Sequence, residues 1–183
     1  MARAAWTLEL PMDSLATKNA LLNDSPWGGT PLVAAARAIA TIAHRGQTDK
    51  LGVDYILHPA RVAARLADPV EVAAAWLHDV VEDCGVIPDD LLKAGIAPEV
   101  VDAVVLLTRP PRGQEGSDPD AYYRALRENP VALAVKRADI ADNTDPSRTA
   151  LLPAKERERL RARYDHALQV LAGRESGRES GRE

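Results

Sequence analysis

Four ionisable side chains, His78, Asp79, Glu82 and Asp83, crowd into an otherwise apolar stretch, "AAAWLHDVVEDCG" at 73–85. Read as one helix opened by Pro69, they share an arc of roughly 140° at about 100° per residue. Ala73, Ala74, Leu77, Val80, Val81 and Cys84 take the other side, with Trp76 near the edge of the arc. An ordinary solvated helix face is wider and mixes lysine with glutamate, whereas this stripe holds no positive charge. Carboxylates buried without partners cost several kcal/mol, so the stripe requires a cation, a cleft or both. Imidazole and carboxylate together suit a divalent metal ion.

Two distant segments hold further donors of the same kinds. His44 ends an apolar run as "TIAHRG", and Asp139 lies in "AVKRADIADN" among Val135, Ala138 and Ile140. With His78 and Asp79 they make two imidazoles and two carboxylates, a set fitting Mn²⁺, Fe²⁺, Zn²⁺ or Mg²⁺ with places left for water and substrate. Each also has an ordinary structural reading, His44 as a capping histidine and Asp139 as a partner of Arg137. The lone cysteine, Cys84, follows Asp83 and reads as packing rather than as a reactive thiol.

Helices must carry these groups, because no alternating strand pattern competes anywhere. Proline opens most of them, at the position where its missing N–H costs least. The expected segments begin at Pro31, Pro59, Pro69, Pro88, Pro98, Pro119, Pro130 and Pro153, and Gly46 and Gly85 stop two of them. The fold class is therefore all-α, a compact bundle of several helices. Residues 1–29 read as a lead-in, 30–172 as one domain, and the "GRESGRESGRE" repeat of 173–183 as a disordered tail with no apolar residue to bury.

The chain has 183 residues, is 46% hydrophobic and 27% charged, and carries a net charge of −4. That balance lacks the basic footprint of a nucleic-acid binder. No apolar run is long enough to span a membrane, and the start lacks a signal-peptide pattern, so a cytoplasmic location is expected. A single cysteine agrees with a reducing compartment.

Four motifs occur in a telling order: "AHRGQ" at 43–47, "DYILHPARVA" at 54–63, "LHDVVED" at 77–83 and "VKRADIADN" at 135–143. Together they resemble the hydrolase domain of the Rel/SpoT alarmone enzymes and the stand-alone small alarmone hydrolases, within the HD metal-phosphohydrolase superfamily. The resemblance covers about residues 30 to 172. It implies a metal-dependent hydrolysis of ppGpp or pppGpp to GDP or GTP and pyrophosphate, with Mn²⁺ the usual ion and a small-molecule nucleotide as the partner. Carried over, it makes His44, His78, Asp79 and Asp139 the metal ligands, and Glu82 and Asp83 the pair that positions and deprotonates water. It also places Lys50, Asn143 and Arg109 at the substrate, with Tyr55 and His58 lining or bracing the pocket.

Departures from the family pattern keep other outcomes open. The usual "Arg-Lys-Ser-Gly" becomes Thr48-Asp49-Lys50-Leu51-Gly52, which puts Asp49 where an arginine packs on guanine. The "KLADRLHN" of the long enzymes becomes "KRADIADN". Another phosphorylated nucleotide (an adenine alarmone, the 2′-phosphate of NADPH or a nucleoside monophosphate) is thus an alternative substrate, and a non-catalytic nucleotide-binding module a further one.

Overall fold

A computed structural model describes residues 30–110, 113 and 118–174. The expected lead-in of 1–29 and nearly all of the expected tail lie outside the described residues. Among the described residues the structure is helical without strands: α1 (Pro31–Ala43), α2 (Leu57–Ala63), α3 (Pro69–Leu77), α4 (Val80–Cys84), α5 (Pro88–Lys93), α6 (Pro98–Leu107), α7 (Pro119–Arg127), α8 (Pro130–Asn143), α9 (Pro146–Thr149) and α10 (Ala154–Leu171). The all-α expectation holds. No helix among these residues is long and apolar enough to cross a membrane.

Side-chain caps fix where several helices begin. Thr30 accepts from Val33 N, Asp68 from Val70 N and Glu71 N, and Asn129 from Ala132 N, each just before a proline at the first helical position. A cap of this kind stabilises a helix by about 1 kcal/mol, and the proline there gives up a donor that had no partner in any case. α3 is the centre of the molecule. Val72 through Leu77 are all buried, and the helix packs against α1, α2, α6 and α8. Each large apolar side chain taken from water there contributes about 1.5–3 kcal/mol. The last helix, α10, is charged outside and buries only Tyr164, Ala167, Val170 and Leu171 against α7 and α8.

The stretch from Pro69 to Cys84 is not one helix. It breaks at His78–Asp79 into α3 and α4, with Asp79 at φ −106° and ψ −6°. The physical reason is local. The His78 ring donates from Nδ1 to the Ala75 carbonyl at 2.7 Å, the acceptor that the Asp79 N–H would use in an unbroken helix. The two key residues therefore sit at a bend, not along a continuous polar stripe. A second departure is that α2 begins at Leu57, two residues ahead of Pro59, which puts His58 in its first turn.

Between α1 and α2 the chain makes a small hairpin-like loop. Thr48 and Asp54 form an antiparallel bridge, and Asp49 N donates to Val53 O at 2.8 Å. Asp49 holds the turn from inside, its Oδ1 accepting from Leu51 N and Val53 N. Gly52 turns the corner at φ +77°, a conformation that strains any residue with a Cβ.

Candidate metal centre

Four helices deliver the site. α2 brings His58 and α8 brings Asp139, while the bend between α3 and α4 brings His78 and Asp79. His58, His78 and Asp139 are all buried, and each offers a ligand atom within 4.8 Å of the other two. His58 Nε2 lies 3.3 Å from Asp139 Oδ1 and 3.7 Å from Asp79 Oδ2, and His78 Nε2 lies 3.0 Å from Asp79 Oδ2. The edge of this cluster opens into a cavity of about 400 Å³, lined by Asp79, Glu82, Asp83 and Asp139 at its deep end.

The tautomers suit an ion. His78 spends its Nδ1 proton on the Ala75 carbonyl, and its buried Nε2 has no hydrogen-bond partner. A buried ring nitrogen with a free lone pair, its other nitrogen fixed by a carbonyl, is the arrangement a metal-ligating histidine requires. His44 repeats it, with Nδ1 2.7 Å from Gln47 Oε1 and a buried Nε2 without a partner, whereas His58 has Nδ1 2.8 Å from Asp142 Oδ2 and Nε2 3.3 Å from Asp139 Oδ1. Two imidazole nitrogens and two carboxylates thus fit a divalent ion of the Mn²⁺, Fe²⁺ or Zn²⁺ type.

Electrostatics leave these groups under strong mutual influence. Burial favours the neutral imidazole of His58, but hydrogen bonds to Asp139 and Asp142 and the charge of Asp79 outweigh it and push its pKa up to about 9. His78 moves the same way, burial being overcome by Asp79 and Asp139. Asp139 stays ionised far below the usual carboxylate range despite burial, because Lys136 donates to it at 2.7 Å and both histidines face it. Asp79 is likewise held low against its burial, chiefly by His78.

Beside it stand the other expected residues. Tyr55 donates its hydroxyl to Asp79 Oδ2 at 2.6 Å and lies 3.5 Å from Asp83 Oδ2. Asp83 is pushed up by burial and by the neighbouring charges of Asp79 and Glu82. Glu82 accepts from the Arg109 backbone N–H at 3.0 Å. The Arg109 guanidinium sits over the Tyr122 ring, 5.3 Å from its centroid. Asn143 donates its side-chain amide to Asp139 Oδ1. Lys50 stands at the cavity mouth, 3.4 Å from Glu156.

His44 lies beside the cluster. Its Nδ1 is 2.7 Å from Gln47 Oε1 and 3.3 Å from Cys84 Sγ, its ring packs on Tyr55, and its buried Nε2 has no hydrogen-bond partner. A further histidine, His58, lies close to His78 and Asp139. It stands in the "HP" of "DYILHP", already part of the matched pattern. Asp142, Arg61 and the ion-pairing of Lys136 were missed altogether.

No family model matches the chain. Among curated relatives, the guanosine-3′,5′-bis(diphosphate) 3′-pyrophosphohydrolase of Vibrio cholerae is 36% identical over 129 residues, covering 65% of this chain and 18% of that protein. The bifunctional (p)ppGpp synthase/hydrolase SpoT of Escherichia coli K12 is 32% identical over 131 residues, 67% of this chain and 19% of that one. This is a Rel/SpoT hydrolase-like domain. A solved structure, described as a metazoan ortholog of SpoT that hydrolyses ppGpp, shares the fold of this Rel/SpoT hydrolase-like domain at a TM-score of 0.66 and 21% identity, covering 81% of this chain and 89% of its own. The domain spans less than a fifth of the curated relatives it matches.

Proposed function

We propose that this chain removes the 3′-diphosphate of ppGpp and pppGpp as pyrophosphate, using Mn²⁺ held by His78, Asp79, Asp139 and a second imidazole, that of His44, whose buried Nε2 has no partner, or of His58, which already faces Asp139. The observation that carries the reading is the buried His58–His78–Asp139 cluster at the floor of a cavity of nucleotide size. Relatives of the same pattern are named for that hydrolysis. A divalent ion there supplies Lewis acidity and a lowered pKa for water.

The chain's own groups do the rest. Glu82 and Asp83 border the cavity beside the donor set, and Asp83, with its raised pKa, takes up a proton near neutrality better than an ordinary aspartate. The backbone N–H of Arg109 fixes the Glu82 carboxylate, so that acid is oriented before substrate arrives. Tyr55 and Asn143 hold Asp79 and Asp139 in place. Lys50 and Arg109 line the same cavity and give the phosphates positive partners.

One observation favours a second reading, a different phosphorylated nucleotide. Asp49 puts a carboxylate in the cavity wall, 3.1 Å from Arg148. Incubating the protein with Mn²⁺ and a panel of nucleotide phosphates, with products identified by mass, separates the two. Pyrophosphate released from ppGpp, and abolished by EDTA, is the expected result. Single phosphates released from another nucleotide while ppGpp stays intact would transfer the proposal to that substrate.

A further inference from the structure

Arg148 is clamped on two edges. It stands on the short α9 in the cavity wall and donates from one amino group to Asp49 Oδ2 at 3.1 Å. Its other amino group lies 3.5 Å from Oδ2 of Asp142, a carboxylate that is completely buried. The jaws of the clamp are themselves fixed. Asp49 Oδ1 accepts from Leu51 N and Val53 N, and Arg61 grips Asp142 with two hydrogen bonds, at 2.7 and 3.1 Å. Asp145 pins α9 in turn, accepting from Ser147 N at 2.9 Å and from Arg65 at 3.2 Å.

An arginine held this way has already lost its side-chain freedom, so meeting a ligand costs it little more. Two carboxylates on its edges offset its charge and repel a polyphosphate, which makes Arg148 ill suited to the anionic end of a nucleotide. Its flat face is suited to something else, since a guanidinium plane stacks on aromatic rings and nucleobases. Leu51, two residues from Asp49, and Leu152, four from Arg148, line the same cavity. That apolar flank favours an uncharged ring over a phosphate. The carboxylates of Asp79, Glu82, Asp83 and Asp139 occupy the deep end, where the reacting phosphate must lie, and this leaves the Arg148 wall for the base.

We infer that Arg148 binds the base of the substrate: the clamp of Asp49 and Asp142 presents its guanidinium face to a nucleobase, while Asp49, with both oxygens engaged, serves as the anchor. The inference rests on the nucleotide reading proposed above and names the residue that holds the nucleoside end. Stacking of this kind accepts any base, so the clamp grips the nucleoside without choosing between guanine and adenine.

The test is calorimetric titration of GDP and, separately, of inorganic pyrophosphate into the Mn²⁺-loaded wild type and Arg148→Lys, a variant that keeps the charge and loses the plane. The Kd for GDP is expected to rise about tenfold or more, the loss of one stacked base, while that for pyrophosphate stays the same. An unchanged Kd for GDP overturns the inference, and so does an equal rise for both ligands, which a phosphate contact or a general loosening of the cavity would produce. Should Arg148→Lys fail to fold, crystals of the wild type with GDP decide: the base lying flat on the Arg148 guanidinium is expected, and Arg148 meeting a phosphate or nothing overturns it. GDP binding that depends on Arg148 in a protein that leaves ppGpp intact would uphold the inference and overturn only the proposed reaction. Wild type that binds neither ligand would bring down both.

Discussion

The floor and the mouth of the cavity are built on different principles. At the floor, His58, His78, Asp139, Asp142 and Lys136 are all buried, and each is held by at least one partner at 3.0 Å or less. At the mouth, Lys50 is 78% exposed on its side chain and meets Glu156 at 3.4 Å, and Asp49 and Arg148 pair on the wall between. Charges at the floor have no water to fall back on, so each removal strands a neighbour. The Lys50–Glu156 pair at the mouth is solvated and worth little. Asp49, in the place of the family arginine, is not part of that solvated rim: it is mostly covered, pairs with Arg148 and holds the 48–54 turn.

Asp139→Ala tests this contrast most severely. It removes a donor and leaves Lys136 buried without its partner, so it is expected to abolish metal uptake and to destabilise the fold by about 3–5 kcal/mol. Calorimetry and denaturant unfolding measure the two losses; a stable variant would mean that the floor is less closed than described. Glu82→Gln should keep Mn²⁺ uptake within a few-fold and lower turnover by about 10²- to 10⁴-fold, measured as pyrophosphate release. Full activity in that variant would remove Glu82 from the proposed chemistry.

The metal-free floor also predicts a pH dependence. His58 is raised in the folded state from 6.5 to about 9, so the native protein binds more protons than the unfolded chain in between. Its stabilisation is complete below pH 6.5 and is lost as pH rises through about 9, an effect on the order of 3 kcal/mol. Urea unfolding of the metal-free protein from pH 6 to 10 checks the sign. A stability that rose over that range would contradict the arrangement around His58. The mouth gives the smallest effect. Lys50→Ala should leave stability within about 1 kcal/mol and act, if on anything, on KM, readable from thermal unfolding and substrate titration.

The fold was legible largely because it rests on local signals. Proline and its capping neighbour mark most helix starts, and α8 runs from Pro130 to Asn143 as its pattern suggests. The bend at His78–Asp79 was not legible, since it depends on a ring nitrogen competing for a backbone carbonyl. Nor was the short α9. At the site, the composition of "LHDVVED" showed that chemistry is present, but periodicity could not tell which distant histidine closes the cluster. The contacts that set each ring, Tyr55 against His44 and α2 docked on α8, join parts of the chain that no local pattern relates. The Arg61–Asp142 pair is 81 residues apart and leaves no trace in local pattern.

The central claim is that His78, Asp79, Asp139 and one further imidazole, that of His44 or His58, gather one ion. Crystals soaked in Mn²⁺ and measured at its absorption edge test it directly. A single anomalous peak bonded to His78 Nε2, to the carboxylates of Asp79 and Asp139 and to Nε2 of His44 or His58 is predicted. A peak bonded to neither of those two histidines, or none at the cavity floor, would contradict it.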